Sequence, residues 1–106
     1  MYLTNLNEEE FKNEMQSLDL SWNQISDDEI EALSESFKVN QSLIKLNLYK
    51  SKIGVKGIEF FCKSLKVNQG LTQLNLSGNE IRAEGTQALG ESLKVNQTLT
   101  AVSTQV

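Results

Sequence analysis

The phrases FKVNQS at 37–42, LKVNQG at 65–70 and LKVNQT at 93–98 decide the fold of this chain, because each starts 28 residues after the one before. An active site needs each special residue once, whereas a phrase repeated at constant spacing is typical of a repeat architecture. The segments 18–45, 46–73 and 74–101 align without a gap, and the first and third agree at half of their positions. The sequence therefore predicts three consecutive repeats.

Each repeat contains two hydrophobic periodicities. Its opening reads apolar-x-apolar, as in Leu18 and Leu20, which places both leucines on one face of a short strand. Its second half carries apolar residues at i, i+3 and i+7, the spacing of the buried stripe of a helix. We therefore expect strands at about 17–21, 45–49 and 73–77 and helices at about 28–38, 56–66 and 84–94.

Local signals mark where the predicted helices begin and end. Ser26 followed by Glu29 is a capping-box pattern for the first helix. Gly57 and Gly85 stand at the Glu29 position of the later repeats, where we expect a tight backbone turn. The asparagine of KVNQ is predicted to end each helix in the left-handed conformation, at Asn40, Asn68 and Asn96.

The pattern LxLxxNxI, followed by a helix that ends in Lxx(V)NxxLxxL, resembles a leucine-rich repeat of the 28-residue ribonuclease-inhibitor type. This class is found in ribonuclease inhibitors, NOD-like receptors and activators of Ran GTPase. The resemblance covers residues 18–101 and implies an α/β fold, a right-handed β-α solenoid that forms a short horseshoe arc with parallel strands concave and helices convex. In the family, the asparagine of LxLxxN bonds the loop backbone. Asn23 and Asn79 match it, whereas Ser51 replaces it, so we expect a looser middle turn.

The two ends are expected to differ from the repeats. Residues 1–17 are predicted to be an N-terminal capping segment, with Asn7 and Glu10 as a capping box and Phe11 and Met15 on one side of a short helix. Residues 102–106 are predicted to begin a fourth, incomplete repeat, either as a terminal edge or, as we favour, because the chain is a fragment of a longer array. An open edge of this kind predicts weak self-association.

Composition excludes several classes of function. The chain has 106 residues, a net charge of −4, no histidine, one cysteine and a single arginine, which disfavours nucleic-acid binding and removes the commonest general base. Cys62 is interpreted as a packed residue and not as a nucleophile. Neither an enzyme nor a metal or cofactor site is predicted. No apolar run is long enough to span a membrane, the start MYLTNLNEEEF is unlike a secretory signal, and a cytoplasmic location is predicted.

What remains is a surface for binding another protein. Strand positions that alternate with the leucines, together with the residues that follow each strand, should form one continuous patch. Trp22 and Tyr49 are its predicted aromatic anchors, although Trp22 could instead fold over its own turn. We favour a protein-protein interaction module, with an enzyme regulator (an inhibitor or a Ran-type GTPase activator) as the alternative. The predicted partner-binding residues are Asp19, Ser21, Trp22, Lys45, Asn47, Tyr49, Lys50, Gln73, Asn75 and Ser77.

Overall fold

The computed structural model describes residues 16–105 of the chain, in which strands and helices alternate. Most of the predicted N-terminal capping segment, including Asn7, Glu10, Phe11 and Met15, lies outside the described residues. The elements in chain order are β1 (Ser17–Asp19), α1 (Asp27–Val39), β2 (Lys45–Asn47), α2 (Val55–Leu65), β3 (Gln73–Asn75), α3 (Arg82–Val95) and β4 (Ala101–Ser103).

The four strands form one parallel sheet in the order β1-β2-β3-β4. Each strand pairs with the next at an offset of one repeat, so that Leu18 lies opposite Leu46, Leu46 opposite Leu74, and Leu74 opposite Val102. The helices pack in the same order, α1 on α2 and α2 on α3. This arrangement confirms the predicted α/β solenoid, with a parallel sheet and a row of helices. Among the described residues, no helix is long and apolar enough to cross a membrane.

The core lies between the sheet and the helices. The second leucine of each strand motif is almost fully buried, as Leu20, Leu48 and Leu76 show. From the other side, the helical stripe contributes Phe37 and Phe61, whose rings stack at 5.2 Å between centroids. Because the strand leucines recur at the same position and Phe37 of one repeat stacks on Phe61 of the next, the core continues from one repeat to the next.

The start of α1 is as predicted, whereas the reason for the later glycines was wrong. Ser26 Oγ accepts a hydrogen bond from the Glu29 amide at 3.2 Å, and Glu29 Oε1 accepts one from the Ser26 amide at 3.1 Å. Gly57 and Gly85 lie inside helices and do not have a positive φ. A Cβ atom on Gly85 would lie 2.8 Å from Cγ2 of Ile58. The glycines are therefore needed because successive helices approach each other closely.

The helices end near the predicted residues, but the KVNQ asparagines do not adopt the left-handed conformation. Asn40 and Asn96 have extended backbones, with φ of −79° and −67°. In Asn68, Nδ2 donates to the carbonyls of Phe37 and Asn40, and Oδ1 accepts from the amides of Gly70 and Leu71. The Asn68 side chain thus joins the segment that follows α2 to the preceding repeat.

Candidate functional site

The side chains that alternate with the buried leucines form two rows across the sheet. The first row is Ser17, Lys45, Gln73 and Ala101, and the second is Asp19, Asn47, Asn75 and Ser103. We call these eight residues the strand face. They line an open groove of about 360 Å³. The lining also includes Leu18, Leu46 and Leu74, so the groove combines polar and apolar groups.

The second row also has a local structural role that sequence reasoning missed. Asp19 Oδ1 accepts hydrogen bonds from the Ser21 amide at 2.9 Å and from the Ser21 hydroxyl at 2.6 Å. Asn47 and Asn75 accept from the amides two residues later, Tyr49 and Ser77. These side chains satisfy that amide locally, and each strand ends two residues earlier than predicted. The two hydrogen bonds from Ser21 lower the pKa of Asp19 below its ordinary value, and the bond from the Ser21 hydroxyl has the larger effect.

Three side chains beside the strand face form a compact aromatic cluster, which we define as Trp22, Tyr49 and Lys50. The two rings meet edge to face, with centroids 5.5 Å apart and planes at 85°. Lys50 Nζ lies 4.7 Å from the centre of the Trp22 ring and 5.6 Å from that of Tyr49. Trp22 is 69% exposed, and its ring contacts Tyr49 and Lys50 of the next repeat.

The turns that carry this cluster share an unusual backbone conformation. Trp22, Lys50 and Gly78 occupy the same position in successive repeats and have φ of 62°, 48° and 75°. Left-handed backbone is costly for residues other than glycine. A Cβ atom on Gly78 would lie 2.5 Å from Cγ of Lys50, so the absence of a side chain there leaves room for the lysine stem. This repeated turn was not predicted, because only one of its three residues is glycine.

The remaining predicted residues lie close to these features. Lys45 and Gln73 are exposed in the first row of the strand face, and Ser21 and Ser77 are half-buried just beyond the second row. Tyr49, Asn75 and Ser77 contribute to a second open depression of about 440 Å³. A third depression, of about 450 Å³, lies on the far side of Lys50 and is lined by Lys50, Gly78, Asn79, Glu80 and Arg82.

Buried polar side chains at the LxLxxN position form hydrogen bonds with the backbone of the turns after the strands. Asn79 Nδ2 donates to the carbonyls of Leu48 and Leu76, and its Oδ1 accepts from the amides of Ser51 and Ile53. In the middle repeat, Ser51 is fully buried and its Oγ donates to the Leu20 carbonyl at 2.8 Å. The serine therefore keeps the bond to the preceding repeat, but a hydroxyl cannot reproduce all the bonds that Asn79 makes.

The described residues offer little for catalysis. Cys62 is buried, and burial raises the pKa of its thiol, so the reactive thiolate is disfavoured. Its carbonyl accepts a hydrogen bond from Ser92 Oγ of α3, which fits the predicted packing role. Within residues 16–105, no group of three or more Cys, Asp or Glu residues is arranged to hold a metal ion. The strand face and the aromatic cluster offer side chains for non-covalent contacts with a ligand.

Comparison with known proteins bears on the fold. Residues 13–34 and 67–90 match a family model described as Leucine Rich repeat. The fold is a β-α leucine-rich-repeat solenoid arc. No curated protein matches the chain.

Among solved structures, one titled Leiomodin-1 Actin-Binding Site 2 (ABS2) superposes with a TM-score of 0.82 at 25% sequence identity. The match covers 92% of this chain, and this chain spans 60% of the length of the leiomodin-1 chain. The leucine-rich-repeat arc of this protein is therefore similar to a solved domain whose title names actin binding.

Proposed function

We propose that this protein is an interaction module that binds another protein through its strand face and aromatic cluster. One observation carries the proposal: Trp22 is 69% exposed and is held in place by Tyr49 and Lys50. Tryptophan and tyrosine are enriched among the residues that dominate protein interfaces. Their fixed geometry means that little side-chain freedom remains to be lost when a partner binds.

The proposal includes a subtype, a domain division and a location. A strand register that steps by 28 residues and a helix in every described repeat support the ribonuclease-inhibitor type. We divide the chain into a capping segment (1–17), three repeats (18–101) and the start of a fourth repeat (102–106). A cytoplasmic location is supported by the free thiol of Cys62.

Actin is the first partner to test. The leiomodin-1 structure, whose title names actin binding, shares the repeat fold over most of this chain. An enzyme regulator, whether an inhibitor or a Ran-type GTPase activator, has less support. Among the eight residues of the strand face, Asp19 supplies the only carboxylate and Lys45 the only ammonium group. An inhibitor of a basic enzyme would need a strongly acidic surface for electrostatic complementarity.

The test compares four proteins: the wild type, Trp22→Ala, Tyr49→Ala and the control Val67→Ala. Val67 is 52% exposed, lies just beyond the end of α2 and lines none of the three depressions described above, so its truncation matches the loss of an exposed apolar side chain. We expect actin cosedimentation to fall about tenfold or more for Trp22→Ala, because a central aromatic anchor contributes roughly 2 kcal/mol or more to binding. Val67→Ala should bind like the wild type.

If actin does not bind, the same four proteins serve as baits in cell extract, with retained proteins quantified by mass spectrometry. A partner that both aromatic variants lose and Val67→Ala retains would support the proposed surface. Partners that are retained equally by all four baits would contradict it, because binding would then use another face.

A further inference from the structure

The charge of this protein is unevenly divided among its repeats. The repeat at 18–45 has six carboxylates and two lysines, whereas the repeat at 46–73 has five lysines and one glutamate. The first therefore has a net charge of −4 and the second of +4, in a chain whose total is −4. Cations concentrated in one repeat create a local positive potential, which can attract acidic groups. We therefore compare the positions of these cations with that of the aromatic cluster.

Two cations from neighbouring repeats line one depression beside the aromatic cluster. Lys50 and Arg82 border the hollow of about 450 Å³, and Glu80 is the one carboxylate among its lining residues. Lys52 follows Lys50 in the same turn and is exposed. We define the basic edge as Lys50, Lys52 and Arg82. Lys50 also belongs to the aromatic cluster, so the basic edge is adjacent to the exposed indole of Trp22.

The cations of the basic edge are not neutralised by ion pairs within the part of the chain that the structure describes. The ion pairs in residues 16–105 join Lys38 to Glu35 and Lys94 to Glu91, near the C-terminal ends of α1 and α3. Lys50 Nζ instead lies over the Trp22 and Tyr49 rings. The edge thus presents cations beside an apolar surface, and its charge is available to a ligand.

We propose that the basic edge and the aromatic cluster together bind an acidic protein segment that carries a large apolar side chain. This inference rests on the proposed function and deepens it by naming the chemistry of the partner. The apolar side chain packs on the exposed part of Trp22, and neighbouring carboxylates reach Lys50 and Arg82. A guanidinium group can hold a carboxylate with two parallel hydrogen bonds, which makes Arg82 the more selective of the two cations.

A displayed library of random peptides tests this inference without a known partner. The wild-type protein is expected to retain peptides enriched in Asp and Glu together with Phe, Leu or Trp, compared with the unselected library. The triple variant Lys50→Glu, Lys52→Glu, Arg82→Glu should instead enrich Lys and Arg. The control Lys63→Glu changes an exposed lysine on α2 and should keep the acidic preference.

Affinities of the selected peptides can be measured by fluorescence anisotropy of a dye attached to each peptide, which also serves Trp22→Ala, the variant that lacks the single tryptophan of the chain. We expect the charge-neutral triple variant Lys50→Gln, Lys52→Gln, Arg82→Gln to weaken binding about tenfold, and added salt to weaken wild-type binding, because exposed ion pairs are screened. Circular dichroism checks that each variant is folded.

The inference would be overturned by wild-type selection of basic peptides, by selection without charge preference, or by no retained peptides. Selected peptides that lose affinity with Trp22→Ala but bind the Gln variant as well as the wild type would separate the two proposals. The aromatic surface would then stand, and the acidic partner would not.

Discussion

At the scale of single residues, the left-handed position shared by Trp22, Lys50 and Gly78 links backbone strain to the candidate surface. A residue other than glycine in this conformation costs about 1–2 kcal/mol. Glycine at position 22 would avoid that cost, as it does at Gly78, where φ is 75°. The strained residue is instead a tryptophan that is 69% exposed. Strain of this kind is found at binding sites, which is consistent with Trp22 acting as an anchor.

Ser51→Asn tests how much stability the middle turn loses because Ser51 makes fewer hydrogen bonds than Asn79. Asn79 bonds two carbonyls and two amides, whereas the Ser51 hydroxyl makes one short bond, to the Leu20 carbonyl at 2.8 Å. We expect Ser51→Asn to raise the free energy of unfolding by about 1 kcal/mol, roughly one net hydrogen bond. The converse change Asn79→Ser, as control, should lower it by about 1–3 kcal/mol. Urea denaturation measures both.

The middle turn also differs in its backbone, which gives the prediction a clear contrary outcome. Lys52 has φ of 58°, and this second left-handed residue is not found at the matching positions 24 and 80. If Ser51→Asn is neutral or destabilising while Asn79→Ser destabilises as expected, the turn around Lys52 does not accommodate the larger amide.

At the scale of elements, the glycines of α3 separate helix propensity from packing. Gly85 faces α2, where a Cβ atom would lie 2.8 Å from Ile58 Cγ2, whereas nothing lies within 4 Å of a Cβ atom on Gly90. Gly90→Ala should therefore stabilise the protein by about 1 kcal/mol, the usual helix preference for alanine. Gly85→Ala should destabilise it by about 1–2 kcal/mol, because overpacking outweighs the propensity gain.

Thermal and urea unfolding of these two variants provide the comparison, and each serves as the control for the other. Equal stabilisation by both changes would show that α2 and α3 can move apart without cost. Equal destabilisation would show that the exposed side of α3 at Gly90 is also in contact with another part of the protein.

The helix ends depend on the asparagine of KVNQ more than on the residues beside it. Asn68 is 1% exposed and bonds four backbone groups, two of them in the preceding repeat. Asn68→Ala should destabilise the protein by about 3–5 kcal/mol, because several buried groups lose their partner at once. The exposed neighbour Gln69→Ala should change stability by less than about 0.5 kcal/mol. A loss below about 1 kcal/mol for Asn68→Ala in urea unfolding would mean that water or rearrangement replaces these bonds.

At the scale of the whole molecule, coverage falls from the middle repeat towards β4. Leu93 is 37% exposed and Leu99 is half-buried, whereas Leu65 and Leu71 are fully buried. Within residues 16–105, β4 has β3 as its partner on one side and no strand on the other. Parallel strands with an open edge can pair with another chain.

We therefore expect weak, concentration-dependent self-association of the 106-residue chain, and faster hydrogen exchange in β4 than in β3. Adding a helical cap with a polar outer face after Val106 should remove the association and slow the exchange, because it covers the apolar end of the array. A flexible Gly/Ser tail of the same length is the control. Sedimentation and hydrogen exchange measure both effects. A strictly monomeric chain, with β4 as protected as β3, would contradict this expectation.

The solenoid arc was implied by the resemblance to leucine-rich repeats, whereas the three repeats, the order of strands and helices, and the buried leucines of the strand motifs were determined by the sequence pattern itself. These features follow from spacing along the chain: an interval of 28 residues, alternation in strands and the helical stripe. The capping box of α1 was equally accessible, since Ser26 and Glu29 are three residues apart. Local patterns of this kind can be read because the interacting groups are close in sequence.

The tertiary structure alone decided which groups of neighbouring repeats contact each other. The bonds of Asn68 to Phe37 and Asn40, and the closeness of Gly85 to Ile58, join residues about one repeat apart. The same holds for the contact of Trp22 with Tyr49 and Lys50, which lie in the next repeat. A single sequence marks the type of residue at each position, but the packing of neighbouring repeats fixes which groups meet and at what distance.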